Sequence, residues 1–369
     1  MSQTVTREAC FACTTPYQIM GAISIATSRS LEADLYLFGM FKGYEEVAGR
    51  LEKAGVFEHV YAVGPDEYKT PGRQRAFKQM LHAGSVARKF VPEKTAYRHY
   101  YASSRAHVKN ILLHELLRRN KAMRIVIYDD GMGTYARDSH VLNTTSRRRF
   151  AERLLGWDMY TADRLSFEVY EPELFEKPAG LTSCEVRQMP QPFADERAAG
   201  IIKQVFGVTA KDAIDAGVII FDPLRGVERE RDEKLKVIDQ CYDLIAESFG
   251  EDNVVIKPHP RSTKVTEAKG RLYQNAAVPM EALYAEMADI RDRILITYAS
   301  SAVYTPKLLW GEEPVVILLF RLTDGEESEW SRQYTTFKSA YADQHRIMAP
   351  ETMEEFRQIV GSLLQGGFQ

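Results

Sequence analysis

Residues 123–131 read Met-Arg-Ile-Val-Ile-Tyr-Asp-Asp-Gly, an apolar, β-branched run that stops at two adjacent carboxylates and a glycine. A short run of this kind without polar alternation suits a strand covered on both faces, as in a parallel sheet flanked by helices. The same unit recurs on either side. N-terminal to it, residues 9–14, 33–39, 56–63 and, more weakly, 97–102 predict strands, with helices starting near Pro16, Gly43, Pro71 and Ser104. Pro16 is a good helix start because the first helical position has no intrahelical partner for the N–H that proline lacks. C-terminal to it, strands are expected over 217–221, 253–256, 293–297 and 314–319, with helices over 228–249, from Met280 and over 301–310. Strands alternating with amphipathic helices predict an α/β chain with parallel, doubly wound sheets.

The chain has 369 residues, which suggests two domains. Between about residues 170 and 211 the alternation fades, and Pro172, Pro178, Pro190 and Pro192 gather. We therefore divide the chain into a Rossmann-like lobe over 1–170, a linker over 171–211 and a second Rossmann-like lobe over 212–369. Two such lobes are expected to place their strand ends around a cleft, and open parallel sheets take ligands beyond the carboxyl ends of their strands.

Composition narrows the partners. A formal net charge of -3 gives no overall basic field, so nucleic acid is an unexpected partner. The N-terminus lacks a signal-peptide pattern and no apolar run is long enough to cross a bilayer, so a cytoplasmic protein is expected. Four cysteines suit a reducing compartment. Cys10 and Cys13 are spaced like a redox pair, but on a strand residues three apart face opposite sides, so neither redox nor zinc chemistry is expected.

Four features, three of them at strand ends, carry candidate chemistry. Asp129 and Asp130 repel each other, so one can hold a raised pKa and serve as general base for a sugar hydroxyl, with Gly131 letting backbone approach a ligand. The plain alternative is a solvated turn, and a magnesium or manganese site ranks lower because nothing nearby completes a ligand set. In Lys257-Pro258-His259-Pro260-Arg261 the two prolines restrict His259, which then suits hydrogen bonding to a phosphate oxygen. Ser300 and Ser301 open an expected helix, where free N–H groups and hydroxyls favour an anion, although serine is also an ordinary N-cap. Glu281, at the start of another expected helix, is suited to a ribose contact, though the helix dipole alone favours glutamate there.

In order and setting these features resemble the motifs of bacterial sialyltransferases: an acidic-acidic-glycine motif at Asp129-Asp130-Gly131, a His-Pro motif at His259-Pro260, and a double-serine motif at Ser300-Ser301. The chain is most similar to the lipooligosaccharide sialyltransferases of glycosyltransferase family fifty-two, whose N-terminal strand and Thr-Pro turn the opening Ala-Cys-Thr-Thr-Pro-Tyr-Gln-Ile-Met also resembles. The similarity runs in order from about residue 10 to 320, and only the motifs are specific. It implies a two-lobed GT-B fold with an acceptor-side N-terminal lobe and a donor-binding C-terminal lobe. It further implies transfer of sialic acid from CMP-sialic acid to a glycan hydroxyl such as a terminal galactose, with inversion. By position, an aspartate of the 129–130 pair, conventionally the first, would be the base, and His259 would assist departure of CMP. Lys257, Pro260, Glu281, Ser300, Ser301 and Gly131 would line the donor, with Thr15 and Arg225 as further contacts. A single phosphate can be neutralised by a histidine and a helix N-terminus, so no metal and no cofactor are expected.

The basic run Arg147-Arg148-Arg149 followed by Phe150, Leu154, Leu155 and Trp157 suits an anionic membrane or lipid-linked acceptor, and equally a solvated face. Arg225, in Asp222-Pro223-Leu224-Arg225-Gly226 after a strand, suits a donor contact or an ordinary turn. A homodimer is compatible with the sequence. Rival readings are a glucosyltransferase, a glycerophosphotransferase using CDP-glycerol with its Lys-x-His-Pro segment, and a noncatalytic sugar-nucleotide-binding protein.

Overall fold

The computed structural model describes residues 5–68, 83–104, 106–135, 157–226, 232–275, 278–287, 289–325 and 328–366. The chain divides into two compact units, Met1–Phe206 and Gly207–Gln369.

The first unit is built on strands β1 (Val5–Cys13), β2 (Ala33–Phe38), β3 (His59–Val63), β4 (Thr95–Ala102), β5 (Arg124–Tyr128), β6 (Leu165–Val169) and β7 (Glu185–Gln188). They form one sheet in the order β3-β2-β1-β4-β5-β6-β7, with every neighbouring pair parallel. The order reverses between β1 and β4, which makes that junction the switch point where ligands of open sheets bind. The unit's helices include α1 (Pro16–Arg29), α2 (Tyr44–Ala54), α3 (His107–Arg119) and α4 (Glu196–Phe206). Thr15 caps α1 by accepting a hydrogen bond from the Gln18 N–H, Pro16 fills the first turn, and Ser30 ends the helix in the left-handed region at φ 50°. Every α1 residue from Gln18 to Thr27 is buried. Gly21 lets that helix lie close, since a Cβ there would stand 2.7 Å from the Met189 methyl and 3.1 Å from the Tyr128 ring.

The second unit contains β8 (Val218–Phe221), β9 (Val254–Lys257), β10 (Arg271–Leu272), β11 (Ile294–Thr297), β12 (Val315–Leu318) and β13 (Ile347–Met348). Their order is β10-β9-β8-β11-β12-β13, all parallel, with the switch point between β8 and β11. Lys257, Phe221, Thr297 and Leu318 pair in one row, so the strands end level. The unit's helices include α5 (Asp232–Phe249), α6 (Met280–Tyr284), α7 (Thr305–Trp310), α8 (Glu329–Ala340) and α9 (Met353–Leu364). Ile238, Cys241, Tyr242 and Ile245 of α5 and Phe356 and Val360 of α9 pack on Val218, Ile220, Val254, Ile256, Ile296 and Ile317. Each large apolar side chain among these contributes about 1.5–3 kcal/mol by leaving water.

The expected α/β, doubly wound architecture is therefore present in each unit. The stretch read as a linker, 171–211, differs in detail. It holds β7, paired in register with β6, and α4, which packs on α1 and α2, so both belong to the first unit. Its prolines sit in the loops on either side of β7. The helix expected near Pro71 lies outside the described residues. Among the described residues, no helix is long and apolar enough to cross a membrane. The basic run 147–149 also lies outside them, but Trp157 beyond it is buried, its ring stacked 4.9 Å from that of His114. Cys10 and Cys13 are free and buried, and burial pushes the Cys13 thiol up to about 11, which leaves it protonated and unreactive.

Candidate active-site residues in each unit

In the first unit the candidate residues lie where β1, β4 and β5 end. Asp129 has no exposure to solvent. Its Oδ1 accepts from the Gly131 N–H at 2.6 Å and the Tyr17 hydroxyl at 3.4 Å, and its Oδ2 accepts from the Tyr170 N–H at 3.2 Å and closely from the Tyr135 hydroxyl. Burial pushes this carboxyl up to about 7, against the pull of its hydrogen-bond donors and with the Asp130 charge adding to the rise. Gly131 adopts φ +75°, a left-handed turn that brings its N–H back to the carboxylate it follows. Asp130 is half-buried. Its Oδ1 accepts from Gln18 Nε2 at 2.8 Å, and its own N–H donates to Thr134 Oγ1 at 2.8 Å. Burial raises the Asp130 carboxyl, and Lys109 and Gln18 oppose that rise.

Lys109 and Gln18 were not singled out from sequence. Lys109 is fully buried, and its Nζ donates to Gln18 Oε1 at 2.8 Å and Ser104 Oγ at 3.2 Å. Burial lowers its pKa, while the Asp130 charge pulls it back up. A signal existed: Lys109 shares the helical stripe of Leu112, Leu113 and Leu116, and a lysine in an apolar stripe is buried only for a reason. Thr15 is used as the α1 cap, with Oγ1 accepting from the Gln18 N–H at 3.3 Å.

In the second unit the candidates follow β8, β9 and β11. His259 is half-buried, and the Arg261 N–H donates to its Nδ1 at 3.1 Å. Assigned from that hydrogen bond, the neutral ring carries its proton on Nε2. Burial, then the charges of Arg261 and Lys257, lower its pKa, which keeps the ring neutral at pH 7. Lys257 is buried and pulled down to about 8 by burial, which the Glu281 carboxylate partly offsets. Its Nζ stands 5.6 Å from the centre of the Tyr273 ring. Glu281, near the start of α6, has a carboxyl raised by burial and drawn down by Lys257, so these two groups sense each other. Pro260 is exposed beside the histidine.

The double-serine segment departs from the expected helix start. Ser300 caps a 3-10 turn, Ser301–Tyr304, that leads into α7, and its hydroxyl accepts from the Ala302 N–H at 3.3 Å. The Ser300 N–H is taken by Thr297 Oγ1 at 3.1 Å. Ser301 is exposed, so it presents the freer hydroxyl of the pair. Tyr284 of α6 donates to the Ala302 carbonyl at 3.2 Å, which ties the Glu281 helix to this turn.

Arg225 is occupied within the unit. Its Nε bonds Asp222 at 3.0 and 2.7 Å, and its terminal nitrogens bond Asp239 at 3.1 and 2.5 Å. Rather than presenting a free guanidinium, it clamps the loop after β8 to α5. The same loop is stitched to the histidine loop, since the Arg225 N–H donates to Ser262 Oγ at 2.9 Å and the Thr263 N–H to the Arg225 carbonyl at 2.9 Å. The structure thus gathers Asp129, Asp130, Gly131 and Thr15 at one sheet edge, and Lys257, His259, Pro260, Glu281, Ser300 and Ser301 at another. Among the described residues, no group of three His, Cys, Asp or Glu side chains is placed to hold a metal ion.

No protein-family model matches the chain, and no curated protein matches it. Among solved structures the chain is similar to a variant of the wall teichoic acid polymerase TagF, at 11% identity and a TM-score of 0.45, over 98% of this chain and 89% of that one. It is also similar to TcCGT1 in complex with UDP, at 9% identity and a TM-score of 0.44, over 97% of this chain and 91% of that one. Likeness this distant says nothing of substrate or mechanism.

Proposed function

We propose that the protein is an inverting, GT-B-type glycosyltransferase that moves a sialic acid from CMP-sialic acid to a hydroxyl of a glycan acceptor, in the manner of lipooligosaccharide sialyltransferases. The observation that carries the reading is the carboxyl edge of the second sheet. There a neutral His259 with its proton on Nε2, a buried Lys257 and the Ser300–Ser301 turn follow β9 and β11, the two neighbours of β8. Hydrogen-bond donors gathered at a switch point suit one leaving phosphate. A phosphate beside His259 raises the ring's proton affinity, so the hydrogen bond strengthens as negative charge develops. Glu281, tied to the serine turn through Tyr284, suits the ribose hydroxyls.

The acceptor hydroxyl attacks the anomeric carbon while the bond to the phosphate oxygen of CMP breaks. Configuration inverts, and the hydroxyl proton passes to a carboxylate of the Asp129–Asp130 pair. CMP carries a single phosphate, so the reading includes independence from divalent metal.

The test is CMP release from CMP-sialic acid by the purified protein in EDTA, beside the His259→Ala variant and variants at both aspartates. Release that persists in EDTA and falls roughly a hundredfold or more in His259→Ala supports the reading. Turnover of UDP-glucose or CDP-glycerol instead, or a requirement for divalent metal, moves the protein to those transferases. Donor binding without any turnover makes it a binding protein.

A further inference from the structure

The two adjacent carboxylates after β5 sit in opposite surroundings. Asp129 is closed to solvent, and both of its oxygens are filled by donors from Gly131, Tyr17, Tyr135 and Tyr170. Those donors come from α1, the turn after β5 and the segment after β6, so Asp129 ties three stretches of chain together. A general base needs a lone pair open toward the proton it takes and a path for the substrate to reach it. Asp129 offers neither. Asp130 is half-buried, its Oδ1 accepts a single hydrogen bond from Gln18, and no group among the described residues donates to its Oδ2.

The Gln18 contact is itself fixed. Gln18 Oε1 accepts from the Thr14 N–H at 2.8 Å, the Thr14 hydroxyl at 2.9 Å and Lys109 Nζ at 2.8 Å. Three donors on that oxygen leave the amide one orientation, with Nε2 facing Asp130. Gln18 lies on the helix after β1 and Lys109 on the helix after β4, so the chain Lys109–Gln18–Asp130 spans the switch point of the first sheet. The titratable groups that act on or are acted on by Asp130 are Lys109 from α3, Cys13 from β1, and Tyr128 and Asp129 from its own strand and turn. Lys109 is the cation among them, and its charge opposes the rise that burial gives the Asp130 carboxyl.

Building on the reading above, we infer that Asp130 is the base for the acceptor hydroxyl, that Lys109 and Gln18 position it, and that Asp129 is an anchor of the loop. The hydroxyl O–H bond breaks as its oxygen forms the glycosidic bond, and the proton ends on Asp130 Oδ2. This differs from the first-position assignment that the family resemblance implies.

The test has a kinetic arm and a donor-independent arm. Asp130→Asn lowers kcat roughly a hundredfold or more with KM nearly unchanged. Lys109→Met moves the acidic limb of the kcat/KM profile to higher pH, because the charge that opposes the effect of burial on Asp130 is gone, and Lys109→Arg restores it. Gln18→Met, which keeps Lys109, moves the limb the same way by less and serves if Lys109→Met fails to fold. Asp129→Asn lowers Tm and leaves the acidic limb where it was. Retained kcat in Asp130→Asn, or an acidic limb lost in Asp129→Asn at unchanged Tm, overturns the assignment. In the free protein, carboxyl-carbon NMR should show the Asp130 titration moving to higher pH in Lys109→Met or Gln18→Met. No movement overturns the assignment without reference to any donor. If another donor is turned over in place of CMP-sialic acid, the kinetic arm runs with that donor, and only the donor reading falls.

Discussion

The carboxyl edges of the two sheets solve the problem of strand-end charge differently. At the first edge the two carboxyls are held by donors from their own unit, Asp129 closed off under four of them and half-buried Asp130 linked through Gln18 to Lys109. At the second edge Asp222 and Asp239 are closed off by Arg225, which braces the loop and leaves Lys257 and His259 as the groups not used in that clamp. Burial then acts with opposite sign on acids and bases: it lifts Asp129 to about 7 and brings Lys257 down to about 8. Two edges of like topology thus hold an acid and a base whose pKa values both lie near neutrality.

The largest way to break this comparison is to remove the brace. Arg225→Met leaves the buried Asp222 without its cation and should destabilise the second unit by about 3–5 kcal/mol, read as lost amide protection on β8 and β9 with that of β5 unchanged. Equal loss on β5 would mean that the brace is not local to one unit.

Next comes Gly226→Ala. Gly226 has φ +83°, and a Cβ there would stand 2.1 Å from Thr263 Oγ1 and 3.1 Å from the Lys264 nitrogen. Left-handed strain and overpacking together should cost about 3 kcal/mol in denaturant unfolding.

The pH dependences of the two edges should run in opposite directions. The folded-state pKa of Asp129 is raised to about 7 from 3.8, so its contribution to stability is full below about pH 4 and is lost as pH climbs through 7. That contribution is at most about 4 kcal/mol, and Asp129→Asn should flatten it. The folded-state pKa of Lys257 is depressed to about 8 from 10.5, so the folded state is penalised below pH 8 and recovers as pH rises toward 10.5, by at most about 3 kcal/mol. Hydrogen exchange on β5 and on β9 across these windows reads the two slopes, and slopes of equal sign would contradict the pairing.

The smallest effect belongs to Gly131→Ala. Its φ of +75° is strained for alanine, yet the new Cβ would meet the Tyr17 ring only at 3.5 Å, an ordinary contact. A loss of roughly 1–2 kcal/mol is expected, below that of Gly226→Ala, and the reverse order would show that space at the turn matters less than its backbone.

Much of the frame was legible before any coordinates. β5, β8, β9, β11 and β12 are continuous apolar runs with little or no exposure, and a run buried on both faces needs no partner to be recognised. β10 and β13 have two residues each, too few for any period to show. β6 was hidden by Glu168, which is buried only because Arg29 of α1 pairs with it at 2.9 Å. Helix α4 does carry a pattern, since Ala198, Ile202, Val205 and Phe206 are its buried positions, but the preceding prolines drew the reading toward a linker.

By itself, the sequence determined the alternation of strands and helices and the placing of Asp129, Asp130, His259 and Ser300 just beyond strand ends, because both follow from residues within a few positions of one another. Only the tertiary structure decided which of these groups is occupied. The donor to Asp130 lies 112 residues away, the Tyr170 N–H on Asp129 lies 41 away, and the second carboxylate on Arg225 lies 14 away. No local pattern records such partners. Burial and hydrogen bonding across those separations make Arg225 a brace and Asp129 a closed carboxylate, and they leave one Asp130 oxygen without a protein donor among the described residues.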